Sequence, residues 1–323
     1  MSNYSFAKLN DDLDSVLNFW KQSPDATVFT HPEVLPHLVE NVEWWMAFNG
    51  LEPVCLWPVC GPDFRNGGVS KFAYYVGPFW GKIRENIPLH RWLEMSRKVY
   101  RGYINKFQEL DFMNEASFPL TLRDIREFLW INTELNSGLK LELIPRFTAI
   151  INNLDMKSEG DILALMKKCR RKDIKDVSMN HSLIHTEQIN PDELFHLYKS
   201  HFEQRAFNVP ESEYQRLKKL CDLVNNGFGY FFGLREKNTN DLISIELVLH
   251  CDKVANAIIN LTREDYRDSG AGTAVIHHSV IKAKELGLKS FDFNGANSPH
   301  GAFFKHSLGA VPSLYFDLKF NRG

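Results

Sequence analysis

The sequence predicts an α+β protein of two domains, on three observations. At 323 residues the chain suits two domains of roughly 150 residues each. All seven tryptophans, Trp20 to Trp130, fall in the first half, so composition separates the halves. Each half runs helices, then strands, then a helix and a strand, an order that reads as α+β and suggests one domain type used twice. The boundary is set at 150/151, giving domains 1–150 and 151–323.

Each element has a local reason. "DDLDSVLNFWKQS" and "PEVLPHLVENV" read as helices, and "EWWMAFNG" and "EPVCLWPVC" as strands about Asn49-Gly50, a hairpin dipeptide. A glycine-rich loop, "GPDFRNGG", precedes strand-like "SKFAYYVGPFW". In "LHRWLEMSRKVYRGYINKFQEL", Trp92, Met95, Val99 and Ile104 follow helical spacing. Strand-like "LIPRFTAIINNLD" joins the halves. Beyond it, "SEGDILALMKKCRRKDIKDV" is helical by Ile162, Leu165, Met166 and Cys169, with Ser158 as N-cap. "PDELFHLYKSHFEQRA" and 211–225 add two helices, and 229–262 holds three strand-like runs punctuated by Asn and Asp turns. A helix over 271–286 stops at Gly287, and "LKSFDFNG" follows as a strand.

With 44% hydrophobic and 24% charged residues the composition is that of an ordinary globular protein. A net charge of -2 argues against broad sequence-independent nucleic-acid binding but leaves room for a local basic patch. Cys55, Cys60, Cys169, Cys221 and Cys251 are scattered and never spaced C-x-x-C, so neither a zinc ribbon nor a disulfide framework is expected, and no metal. The start "MSNYSFAKLNDDLD" lacks the regions of a signal peptide and no run of about 18 apolar residues occurs, so the expected location is cytoplasmic.

The helix at 271 opens on Ser269-Gly270-Ala271-Gly272, where every side chain is small. Glycine weakens a helix, but it exposes first-turn amides that have no intrahelical partner and carry the positive end of the macrodipole. A phosphate fits such a place, and so does a plain tight turn.

Arg267 to Gly272 fits the pattern Q/R-x-x-G-x-G/A between a strand and a helix and resembles the GNAT N-acyltransferases. Downstream, "GLKSFDFNGANSPHGAFFKHSLGA" is similar to the end of the FemAB-like branch, in which two GNAT-like domains share a chain. "RRKDIKDV", "LYKSHFEQR" and "ISIELVL" resemble that branch too, as do "YYVGP" and "IPRFT" more loosely. The resemblance implies two tandem domains, each a mixed, mostly antiparallel sheet flanked by helices. It also implies transfer of an acyl group from a thioester or ester, usually to an amine.

If acyl-CoA (acetyl-CoA) is the co-substrate, the resemblance places its pyrophosphate on the amides of Ala271, Gly272 and Thr273, with Gly270 giving clearance and Arg267 adding charge. Glu246 alternates with apolar neighbours in "LISIELVLH"; desolvation there raises its pKa and suits a base for an amine, while a structural ion pair is the plainer role. Lys305, after two phenylalanines, matches the "FK" lysine that meets a negative group, or it lays its stem over the rings. Asp292 is expected to close its strand by hydrogen bonds, His250 to be a polar edge residue, and His277 and His278 to be ordinary helix residues. The cations of 167–175 form a solvated face or a grip on phosphates. Tyr75 and Arg146, with Tyr74, are expected to line an acceptor cleft, and Asn294 is counted with the substrate-binding residues.

The resulting expectation is an N-acyltransferase acting from acyl-CoA on a small or nucleotide-linked amine. The alternatives are a FemAB-like enzyme moving an amino acid from aminoacyl-tRNA to a peptidoglycan precursor, and a non-catalytic ligand-binding protein of the same fold.

Overall fold

The computed structural model describes residues 4–60, 72–83, 87–110, 115–122, 124–134, 139–204, 207–251 and 253–322. The expected "GPDFRNGG" loop lies outside the described residues. The chain forms two compact units, Met1–Arg146 with Leu314–Gly323, and Phe147–Ser313. The tail Leu314–Gly323, counted with the second domain from the sequence, groups with the first unit.

The first unit carries β1 (Tyr4–Lys8), α1 (Leu13–Gln22), α2 (Leu35–Leu38), β2 (Val42–Asn49), β3 (Glu52–Cys60), β4 (Phe79–Trp80), α3 (Leu89–Glu109), β5 (Ala116–Ser117), α4 (Arg126–Glu134) and the start of β6 (Leu139–Ile151). β1 to β4 make an antiparallel sheet in sequence order. Gly50, at φ +64, turns the β2–β3 hairpin. α3 buries Met95, Val99, Tyr100, Tyr103, Ile104 and Phe107, a helical repeat that meets Trp45, Trp57 and Trp80 in one core. Of "SKFAYYVGPFW", Ser70 and Lys71 lie outside the described residues, and 72–80 are not one long strand: Tyr75 takes a left-handed φ of +55, which interrupts the extended run and leaves only β4. "PEVLPHLVENV" yields just the four residues of α2, because Val39 returns to extended geometry.

The second unit continues from β6 through α5 (Glu159–Leu165), α6 (Lys168–Ser178), β7 (Leu183–Thr186), α7 (Pro191–Glu203), α8 (Ser212–Asn225), β8 (Gly229–Glu236), β9 (Leu242–Cys251), β10 (Val254–Thr262), α9 (Ala271–Glu285), β11 (Ser290–Asp292), α10 (Pro299–Ser307) and the start of β12 (Val311–Arg322). Its strands lie in the order β6-β11-β10-β9-β8-β7. All described pairings are antiparallel except β10 with β11, which run parallel from Val254–Ser290 to Asn256–Asp292 and then part. β9 is buried continuously from Leu242 to Leu249, so both of its faces are covered. On one face Val248 packs with Ile276 and Val280 of α9, and Tyr230 Oη donates to Ser279 O at 2.6 Å.

The expected helix over 158–177 is two. Met166 and Lys167 are extended, and Lys167 N donates to Ser307 O at 2.9 Å, so α10 pins the break between α5 and α6. Ser158 caps α5 in a reciprocal box with Asp161. Ser158→Ala is expected to cost about 1 kcal/mol, read as a lower denaturant midpoint at unchanged slope.

Candidate functional site

β9 sets the position of the central residue. Strand alternation turns Ser244, Glu246 and Val248 towards the α9 face, and Glu246 is 1% exposed. Phe232 of β8 and Asn260 of β10 are its cross-strand neighbours. Asn260 Nδ2 donates to Glu246 Oε2 at 2.6 Å. Burial pushes the Glu246 carboxyl up to about 8; the Asn260 hydrogen bond and the charge of Lys305 oppose the rise without cancelling it. One pair along, Ser244 Oγ and Thr262 Oγ1 are 2.9 Å apart, which extends a polar ladder beneath the start of α9.

That helix start is crowded. A Cβ on Gly272 would stand 2.8 Å from Thr262 Oγ1, so this glycine lets α9 rest on the ladder. Gly270, at φ +83, would place a Cβ 2.8 Å from Asp173 Cβ and 3.0 Å from its Cα. The side expected to be clear for a diphosphate is therefore filled by α6. Thr273 Oγ1 donates to Asp173 Oδ2 at 3.1 Å, and Arg170 Nη1 reaches the same oxygen at 3.1 Å. Arg170 Nε also donates to Ser307 Oγ at 2.9 Å, with its guanidinium 4.7 Å from the Phe304 ring centre. Ala271 and Thr273 are buried, while Arg267 is exposed and paired with Glu264. The Asp173 carboxylate is paired with Arg170, so it is the packing of α6 against this turn, more than its charge, that narrows the approach of a diphosphate to these amides.

Beyond the point where β10 and β11 part, three polar residues converge. Asp292 accepts from the Thr148 hydroxyl and from Asn294 N, the latter at 2.8 Å, which closes the strand end as expected. Asn294 (φ +47) is buried; its Nδ2 donates to Ala257 O of β10 at 3.0 Å, and its Oδ1 has no partner among the described residues. Ala257 borders a bulge in β10, where Ile258 stands outside the ladder with β9. Lys305 donates to the carbonyls of Phe293 (2.9 Å), Asn294 and Gly295 (2.7 Å). Burial lowers its pKa, and Asp292 and Glu246 act against that. Its three N–H bonds are thus taken up by the loop after β11, a role that its place in "FFK" does not disclose.

Glu246, Asn294 and Lys305 come together in the second unit, with Gly270, Ala271, Gly272 and Thr273 at the neighbouring helix start. Tyr75 and Arg146 belong to the first unit. Tyr75 is buried against Phe29 and Tyr315, and Arg146 Nε donates to Asp317 at 2.7 Å. Asn260 was missed in the sequence; only the hairpin register that places it opposite Glu246 reveals it. His277 is not an ordinary helix residue: it is buried, burial pulls it down to about 4, and neither ring nitrogen has a partner among the described residues. His278 stacks on Phe232. No group of three or more metal-binding side chains occurs among the described residues, and no described helix is long and apolar enough to cross a membrane.

Residues 166–305 match the family described as acetyltransferase (GNAT) domain. This stretch of the second unit is a GNAT domain. The chain is similar in structure to FemX, with a TM-score of 0.65 at 11% identity over 96% of each chain. It is also similar to L-PGS from Bacillus licheniformis (TM-score 0.57, 10% identity, 95% of this chain and 91% of that one). A tandem GNAT protein from the clavulanic acid biosynthesis pathway gives 0.55 at 13% identity over 99% and 98%. The chain has the tandem GNAT fold that these structures share. No curated protein matches it by sequence.

The position of Glu246 predicts a pH dependence of stability. A carboxyl ordinarily near 4.5 and raised to about 8 in the fold favours the protonated state. Its contribution is full below about 4.5 and is lost as pH rises through about 8. Glu246→Gln, which does not titrate, is therefore expected to gain on the wild type in denaturant midpoint between about pH 5 and pH 8. Parallel midpoints across that range would contradict the assignment.

Proposed function

We propose that the protein is an acyltransferase that joins an acyl group to an amine, with Glu246 as general base. The observation that carries this reading is a carboxyl, buried at the centre of β9 and raised to about 8, hydrogen-bonded to Asn260 of β10 beyond the stretch that pairs with β11. Such a group accepts a proton well at neutral to mildly basic pH. The amine nitrogen attacks the acyl carbonyl carbon as its proton passes to Glu246. The carbon–oxygen or carbon–sulfur bond to the donor then breaks, and the proton returns to the departing atom. In this reading the bulge at Ile258, where the β9–β10 ladder shifts register, is assigned the main-chain donor to the developing oxyanion. In this reading Lys305 positions the 293–295 loop and Asn294 Oδ1 accepts from an N–H of substrate.

For the donor we favour an aminoacyl ester of tRNA over acyl-CoA. The crowding of Gly270 by Asp173 supports this choice, since it packs helix α6 against the turn that the acyl-CoA reading needs clear. Likeness of the whole chain to FemX agrees with it. The acyl-CoA reading keeps support from the match to the GNAT acetyltransferase family, and its acceptor would be a small or nucleotide-linked amine.

The test compares donors directly. Transfer is expected from aminoacyl-tRNA and not from acetyl-CoA, with kcat/KM rising through an apparent pKa near 8. Glu246→Gln is expected to lower kcat by about 10² or more with donor affinity within a few-fold. Full activity of that variant at neutral pH would place the base elsewhere, and turnover with acetyl-CoA alone would restore the acyl-CoA donor.

A further inference from the structure

Helix α6 carries a charge arrangement that helix stability does not explain. Lys168, Arg171, Lys172 and Lys175 are all exposed and, at 100° per residue, fall within about 100° of arc on its outward face. None of the four has an ion-pair partner among the described residues. Asp176 lies about 40° beyond the Lys172 side of this arc. The first turn holds no acidic residue, so its cations stand against the macrodipole, where each weakens the helix. The inward residues are committed elsewhere: Val177 and Ile174 pack in the cores, and Arg170 and Asp173 hold α9 and α10.

Beside this face stands an aromatic side chain that the core does not use. Phe303 of α10 is 62% exposed, and Lys167 Nζ lies 4.1 Å from its ring centre. Unpaired cations next to an exposed ring match the two demands of single-stranded nucleic acid, phosphate neutralisation and base stacking. A lipid surface asks instead for an apolar stripe on the helix itself, and the outward arc of α6 has none.

We propose that the outward face of α6 together with Phe303 binds a single-stranded nucleic-acid end, with Lys168, Arg171, Lys172 and Lys175 on phosphates and Phe303 on a base. The proposal rests on the aminoacyl-tRNA reading of the donor and assigns that donor a surface. A net charge of -2 on the chain makes the binding local to this face.

Binding is read by fluorescence anisotropy on the full chain, using a single-stranded RNA of about twelve nucleotides, at salt from about 50 to 200 mM. Neutralising all four cations to Gln is expected to weaken binding by about 10²-fold or more at low salt and to flatten the salt dependence, by about 0.7 in slope per lost contact. Phe303→Ala is expected to weaken binding about tenfold with the slope unchanged. Unaltered thermal melting shows that the variants fold. Equal RNA affinity of wild type and the four-site variant overturns the proposal, as does wild-type binding to phosphatidylglycerol vesicles but not to RNA. An unchanged KM for aminoacyl-tRNA in the four-site variant sinks this surface and leaves the donor reading intact. RNA binding that depends on α6, in a protein that transfers only from acetyl-CoA, keeps the surface and sinks the donor reading.

Discussion

Ionising a carboxyl group inside a sheet covered on both faces is unfavourable unless hydrogen bonds and a counter-charge offset the lost hydration. Glu246 lies under that constraint, and its neighbours in the second unit offset the cost only in part. Asn260 supplies one hydrogen bond, and Lys305 is near enough to act on the carboxylate, but the ammonium is held by three main-chain carbonyls. A lysine paired directly with Glu246 would stabilise the carboxylate and weaken it as a base. With neither neighbour the group would stay protonated and serve as an acid. The intermediate arrangement holds the carboxyl near the pH at which it must exchange a proton.

The same face explains why small residues gather at the start of α9. Gly272 brings the helix onto Thr262 and the ladder that continues to Glu246, and Gly270 brings α6 onto the helix. Both are consequences of close approach within the chain. Once α6 is seated there, its inward side is fixed by Arg170 and Asp173, and its cations are turned outward. Crowding at the helix start and charge on the outer face of α6 thus come from one packing decision, and together they separate this site from a plain anion-binding helix terminus.

Much of this was legible in the sequence because it depends on local periodicity. Alternation in "LISIELVLH" placed Glu246 on one strand face among apolar neighbours, and Ser158 announced its cap. The Asn49-Gly50 hairpin and α3 followed from turn chemistry and helical spacing. What stayed hidden depends on contacts between distant segments. No local signal tells that Asn260 faces Glu246, that Lys305 turns to the carbonyls of 293–295, or that Asp173 fills the space beside Gly270. The break before α6 has the same origin, since it is held by Ser307, well over a hundred positions away. Tyr75 shows the converse case, in which a run of good strand formers is overruled by one left-handed residue.

The account stands on the protonation of one side chain, and carbon-13 NMR of the glutamate carboxyls measures it directly. Following those resonances through a pH titration, with Glu246 assigned by its disappearance in Glu246→Gln, is expected to give a midpoint near 8 for this residue. A midpoint for Glu246 in the ordinary carboxylate range would contradict the account, because the group would then be an ion-paired or hydrated carboxylate and not a base made strong by burial.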